Sequence, residues 1–180
     1  MDNQRVRLTK RLLKDALISI MQTTPFDRIT VKRLCEEAGI NRTTFYLHYP
    51  DTETLLTEIE DDIIAFAMEL VNGHDTSSQS KPEIFSFLNY VQSNMLRFKV
   101  LLSFDDSDKF VQRISDEIIE GAKEKFPYSV PNEKVNLLMH FAMVSGLAVI
   151  HEWVYSDFRL LPDEMADILD RMYHCIVQGN

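Results

Sequence analysis

Glycine and proline are scarce in this chain, with five Gly and six Pro among 180 residues. Few obligatory breaks are therefore available, and apolar residues recur mostly three and four apart, so the chain is read as all-α, with helices joined by short connections. Cysteine is scarcer still. Cys35 and Cys175 stand 140 positions apart, which excludes a metal-spaced pair or a disulfide framework and suits a reducing compartment. Also missing are a Gly-rich phosphate loop, a nucleophile elbow and an H-E-x-x-H pattern. His140 and His151 share a helix face but lie roughly 16 Å apart at about 1.5 Å rise per residue. His174 and Cys175 are neighbours and diverge on a helix. Enzymatic chemistry, a bound metal and a cofactor are accordingly not expected. The longest apolar stretches read as broken by charge short of the roughly 18 to 20 residues of a membrane span, and the opening MDNQRVRLTK lacks the apolar run of a signal peptide. The expectation is a cytoplasmic protein without a membrane partner.

Acid exceeds base, giving a formal net charge of −9, but the excess is uneven. Residues 1–50 hold nine Lys/Arg against five Asp/Glu, a net of +4, and residues 51–180 hold ten against 23, a net of −13. One end is drawn to a polyanion and the other repelled, which orients the molecule on phosphate. Chance unevenness of solvated charge would produce the same split, so the charge alone decides nothing.

Helical periodicity places a first helix from Thr9 to about Thr23, with Leu8, Leu12, Ala16, Leu17, Ile20 and Met21 on one face and Lys10, Arg11 and Lys14 on the other. Pro25 marks a turn. Thr30 is suited to cap a second helix through Val31, Leu34 and Ala38, ended by Gly39, and Asn41 to cap a third over residues 42–49. Asp51 caps a fourth that carries Leu55, Leu56, Ile59, Ile63, Phe66, Ala67 and Leu70 as far as Asn72-Gly73. Residues 72–82, NGHDTSSQSKP, read as a loop. Four further helices are predicted at about 82–102, 107–126, 131–155 and 162–177, three of them opening at a proline.

Two short helices about a Gly turn form a helix-turn-helix when their inner faces are apolar and the second is polar outward. Val31, Leu34, Ala38, Ile40, Phe45 and Tyr49 supply the inner set, to pack on Leu12, Ala16 and Leu17. Arg42, Thr43, Thr44, Tyr46 and His48 point outward, the types that reach base edges and phosphates from a major groove. Thr30 adds a hydroxyl and helix N-terminal N–H groups for a phosphate. The duller readings are a solvated Arg42, an idle exposed His48, and Cys35 as a small core residue rather than a redox switch.

At residues 29–56, ITVKRLCEEAGINRTTFYLHYPDTETLL, the chain resembles the TetR family of bacterial regulators, most specifically in the Thr-Phe-Tyr-x-His-Tyr run and the capped helix ending in Leu-Leu. The resemblance implies nine or so helices, a homodimer, operator DNA as partner, and usually repression relieved by a small molecule. It places DNA contacts at Thr30, Arg42, Thr43, Thr44, Tyr46 and His48. Two positions depart from it. Thr52 stands where the family commonly has Lys, which weakens or removes an expected phosphate contact, and Tyr49 replaces the usual Phe, which should leave the packing intact.

The predicted organisation is thus a three-helix DNA-binding domain with a helix-turn-helix over residues 1–52, and a helical effector-binding and dimerisation domain over 53–180. Nine of the 11 phenylalanines fall in the second part. Phe85, Leu88, Met95, Phe98, Phe110 and Phe141, with Leu102 and Met143, are candidates for lining a pocket for a small apolar or aromatic effector, although apolar stripes are more often plain core. Leu147, Ile150, Trp153, Val154, Met165, Ile168, Leu169, Met172, Tyr173 and Ile176 exceed what one packing face hides, and such surplus becomes a subunit interface. The same architecture would serve a helical adaptor or coregulator acting through a protein partner, with weak DNA binding.

Overall fold

The computed structural model describes residues 2–73, 81–103, 107–125 and 133–175. Among them run nine α-helices and no strand: α1 (Asp2–Met21), α2 (Val31–Ala38), α3 (Arg42–Tyr46), α4 (Thr52–Gly73), α5 (Lys81–Ser93), α6 (Met95–Ser103), α7 (Ser107–Lys125), α8 (Glu133–Tyr155) and α9 (Pro162–Tyr173). Most of the predicted loop at 72–82 lies outside the described residues, as do Ile176 and the predicted start of the eighth helix at Pro131. The chain divides into two compact units, residues 1–63 and 64–180. The division falls inside α4, whose first half is fastened to the N-terminal unit.

In the N-terminal unit α1 starts seven residues earlier than the periodicity suggests, and its inward line is Leu13, Ala16, Leu17 and Ile20, all buried. Leu8 and Leu12 are exposed instead. Both lines have helical spacing, and a stripe of that width does not separate Leu12 from Leu13 without knowledge of what packs on it. Against this face lie Leu34 and Cys35 of α2, Phe45 and Tyr49, and Leu55, Leu56, Ile59 and Ile63 of α4, every one buried. Cys35 is thus a core residue in which burial raises the thiol pKa, opposed by the nearby Arg42 charge.

In the C-terminal unit the helix predicted over 82–102 is two helices. Asn94 separates them: its side chain donates to the Tyr90 carbonyl at 2.9 Å, and its own carbonyl accepts from Arg97 N at 2.9 Å, restarting the chain as α6. The Asn94 N–H keeps its helical bond to the same carbonyl at 3.0 Å and adds a three-residue bond to Val91 at 3.1 Å, so the break is a local tightening, made without the Gly or Pro that marks a break in sequence. Phe66 stacks on Tyr90 with centroids 4.2 Å apart, and Phe98 meets Tyr90 and Phe87 edge-on at 6.1 Å. A tight corner joins α8 to α9. Asp157 and Phe158 are left-handed there (φ 54° and 56°), held by Trp153, whose indole N–H donates to the Leu160 carbonyl at 2.9 Å and whose ring meets Phe158 edge-on.

One sequence expectation fails in this unit. Leu137–Tyr155, within α8, is 19 residues long with a mean hydropathy of 1.5, long and apolar enough by those measures to cross a membrane, because Glu152 alone breaks it with a formal charge. Helices of this composition also form the cores and interfaces of helical proteins.

Candidate nucleic-acid interface

Local chemistry fixes the two short helices. Thr30 accepts a hydrogen bond from Arg33 N at 3.3 Å and caps α2. Gly39 adopts φ 65°, a conformation that costs other residues about 1–2 kcal/mol, and ends α2. Asn41 Oδ1 accepts from Thr44 N at 2.7 Å and caps α3 two residues later. A helix of five residues such as α3 is far below the length that is stable alone. Phe45, fully buried, and the equally hidden Tyr49 ring, 5.9 Å away, therefore hold it in place by packing. The expected helix over 42–49 stops at Tyr46, and residues 47–49 close as a tighter turn in which His48 N and Tyr49 N both donate to the Phe45 carbonyl at 2.9 Å.

This anchorage determines what faces outward. Thr30, Arg42 and Thr43 are exposed, Tyr46 is 57% exposed, and Thr44 and His48 are half-buried. Arg42 and Tyr46 are therefore available to a partner rather than spent on the core. Sequence reasoning passed over Leu47, which at 76% exposure is the most accessible large apolar side chain of the unit. Leu47 lies two residues, about 200° round the helix, from the buried Phe45, so helical phase alone turns it out; its apolar character is what hid it from a search for polar contacts.

Beside this surface α1 and α4 share a polar cluster. Lys10 Nζ meets Glu58 at 2.9 Å, and Lys14 Nζ bridges Glu58 at 2.9 Å and Asp62 at 2.8 Å. Burial works against the Lys14 charge, but the hydrogen bonds from its two carboxylates prevail and raise its pKa above the usual 10.5. Burial likewise opposes the Glu58 charge, and the two ammonium groups prevail to hold it below the usual 4.5. Lys10 also sits 5.3 Å from the Tyr49 ring centroid. Tyr49 is not a silent replacement for Phe. Its ring packs as expected, yet its buried hydroxyl makes no hydrogen bond, and burial together with the adjacent Glu58 carboxylate pushes the phenol well above its ordinary range. Just after this outward-facing surface Asp51 caps α4, accepting from Thr54 N at 2.7 Å and from the Thr54 hydroxyl at 2.8 Å.

The residues proposed for an effector are dispersed in environment. Leu88, Phe98 and Phe110 are buried in the C-terminal core, Met95 is half-buried, and Phe85 and Phe141 are exposed. An open groove of about 590 Å³ runs instead along α7 and is lined by charged and amide side chains, Lys109 to Glu120. Of the residues proposed for subunit pairing, Leu147, Ile150, Trp153, Val154, Met165 and Leu169 are buried within the unit, and Ile168, Met172 and Tyr173 are half-buried. The outward apolar line of α8 is a different one, Leu137, Phe141 and Val144, exposed by 66%, 61% and 48%.

Comparison with known proteins agrees with this geometry. Residues 13–59 match the family described as bacterial regulatory proteins, tetR family, and residues 78–175 match a transcriptional regulator C-terminal region. The DhaS activator of the dhaKLM operon from Lactococcus lactis is 21% identical over 150 residues, covering 81% of this chain and 79% of that protein. The class D tetracycline repressor from Escherichia coli is 27% identical over 104 residues, 57% of this chain and 44% of its own length, so the chain spans under half of that relative. Among solved structures, a TetR regulator from Streptococcus agalactiae superposes with a TM-score of 0.67 at 20% identity, over 96% of this chain and 97% of the other. The dihydroxyacetone kinase operon activator DhaS gives 0.62 at 18%, over 94% and 96%; at such identities the likeness is one of fold.

Proposed function

The chain belongs to the TetR family of bacterial transcription regulators, which bind DNA, and from that premise we propose that it acts in the cytoplasm as a homodimeric repressor whose grip on an operator is released by a small apolar or aromatic effector. The observation that carries the DNA-reading part is the outward projection of Arg42 and Tyr46 from a helix pinned by Phe45 and Tyr49. In the major groove Arg42 donates to a guanine edge or a phosphate, Thr43 and Thr44 offer hydroxyls to bases or backbone, and Tyr46 and His48 reach phosphates. Thr30 takes a further phosphate, and the exposed Leu47 can meet a thymine methyl.

Pairing is proposed through α8 and α9, with the exposed line Leu137, Phe141 and Val144 and the half-buried Ile168, Met172 and Tyr173 as its accessible portion. The buried members of the α8 and α9 set stiffen the interface from behind. Two-fold pairing presents two copies of α3 to successive major grooves. The effector would enter among the aromatics around Phe98 and shift the balance between two spacings of the reading helices by binding one of them better.

Arg42→Ala and Tyr46→Ala should each abolish specific retardation of duplexes selected from a random pool while leaving helix content and dimerisation unchanged. Unchanged binding by both variants would refute the assignment. Negative control predicts that removing the protein raises expression of its target; a fall would mean activation. A helical adaptor is the competing reading, and Thr52, in place of the common family Lys, favours it. Its signature is a shallow dependence of DNA affinity on salt, where several phosphate contacts demand a steep one.

A further inference from the structure

Charge is segregated along the outward face of α7. Lys109, Gln112, Asp116, Glu117 and Glu120 are exposed and Arg113 is half-buried, while Phe110, Ile114, Ser115 and Ile119 point inward and are buried. At about 100° and 1.5 Å per residue, the six outward side chains fall within an arc of about 140° and span roughly 16 Å of helix. They line the open groove, with the two cations toward its amino end and the three carboxylates toward its carboxyl end. From α8, His140 approaches Asp116 at 3.8 Å without covering it, and Asp116 keeps 53% exposure.

Within a single helix this order is poor. Lys109 and Arg113 are like charges four residues apart, as are Asp116 and Glu120, and Arg113 precedes Glu117 by four in the less favourable order for such a pair. A second α7 laid antiparallel turns the same order into complementarity. About a two-fold axis passing between Ile114 and Ser115, Lys109 meets Glu120 of the partner subunit, and Glu120 meets the partner's Lys109. Arg113 falls between the partner's Asp116 and the partner's Glu117. A face that is its own complement about one axis is what a symmetric contact between identical chains requires. Parallel pairing would set like against like. Residues 51–180 carry a net charge of −13, so two copies repel at large and attract where the signs interlock.

We propose that the outward face of α7 is a docking surface for a second copy of this chain, packed antiparallel about its own two-fold axis, and that it joins one dimer to the next. The step from contact to joined dimers rests on the pairing proposed through α8 and α9, whereas the contact itself does not. Exposed ion pairs are individually weak and screened by salt, so the contact is of low affinity. It fills when copies are concentrated, as when dimers occupy neighbouring sites on one duplex.

The test is sedimentation of the full chain over a concentration series at about 0.05 M and about 0.5 M salt, conditions in which surface charges are weakly and strongly screened. The wild type should be larger at low salt than at high salt. K109E and E120K each set like charges across the axis twice, once in each symmetric pair, and should weaken low-salt association on the order of 10-fold. The double variant K109E/E120K has the wild-type net charge and restores opposite signs across the axis. It should return association to the wild-type level, whereas the two losses would simply add if residues 109 and 120 did not meet. Circular dichroism checks that helix content is kept. Should a reversal unfold the chain, K109Q and E120Q, which remove charge without inverting it, should each weaken association about three-fold. A wild type of the same mass at both salt concentrations overturns the proposal and leaves the face to a different partner. A double variant no better than the single ones overturns it as well. Monomers at high salt would refute pairing through α8 and α9, while low-salt association lost in K109E and regained in K109E/E120K would still establish the α7 contact.

Discussion

Lys14 is the most informative side chain to remove. Its side chain is 10% exposed, and its ammonium bridges Glu58 and Asp62, whose side chains keep 30% and 43% exposure. Replacement by Met preserves the volume of the stem and deletes two charge-assisted hydrogen bonds. Each such bond contributes about 1.5–3 kcal/mol when sheltered, but both carboxylates can regain water and Glu58 keeps Lys10. The expected loss is therefore about 1–3 kcal/mol, below the roughly 3–5 kcal/mol of a fully buried broken pair. For a chain of this size that is a fall in Tm of roughly 2–4 °C per kcal/mol, read by thermal unfolding at neutral pH. The pH dependence supplies a sign. Because the folded pKa of Lys14 is raised above 10.5, its contribution is complete below that value and disappears as pH climbs through the folded pKa. Wild-type stability should decline in that alkaline window more steeply than that of Lys14→Met. A variant at least as stable as wild type at neutral pH would refute the reasoning, since the ammonium would then be a tolerated burden rather than a tie between α1 and α4.

Glu58→Gln probes the opposite limb: the folded pKa of Glu58 is depressed below 4.5, so its contribution is present above that pH and lost as pH falls through the folded value, and the variant's melting temperature should vary less with acidification than wild type's. Asn41→Ala removes the cap of α3 and should cost about 1 kcal/mol by denaturant unfolding. Asn41→Asp, which keeps an acceptor, should restore both stability and DNA retardation. Tyr49→Phe deletes a buried hydroxyl that has no hydrogen bond. It should raise stability by about 1 kcal/mol, and a loss of that size would show that the hydroxyl is engaged.

Elements with local punctuation were legible in the sequence. Thr30, Gly39, Asn41 and Asp51 act as caps or turns through bonds to residues at most three or four positions away, and all four behave as their residue types demand. The outward set on α3 followed from the same local phase. What escaped depends on long-range packing. Leu12 and Leu13 are equivalent until α2 and α4 choose between them, and the break at Asn94 is a tightened turn with no Gly or Pro to announce it. The surplus apolar residues of α8 could not be sorted into buried Trp153 and exposed Phe141 before a neighbour was known, since a helix apolar on every side carries no phase. Lys10 and Lys14 could be counted but not seen to be tied down, because the carboxylates that hold them lie more than 40 residues away.

The division of labour within α3 has an evolutionary corollary. Phe45, with Tyr49 just beyond the helix, carries the attachment, while Arg42, Thr43 and Tyr46 carry almost none of it. With α3 as the proposed reading helix, address and mounting are separate inheritances: the outward letters can be rewritten one at a time to name a new stretch of genome, with the scaffold beneath them barely registering the change.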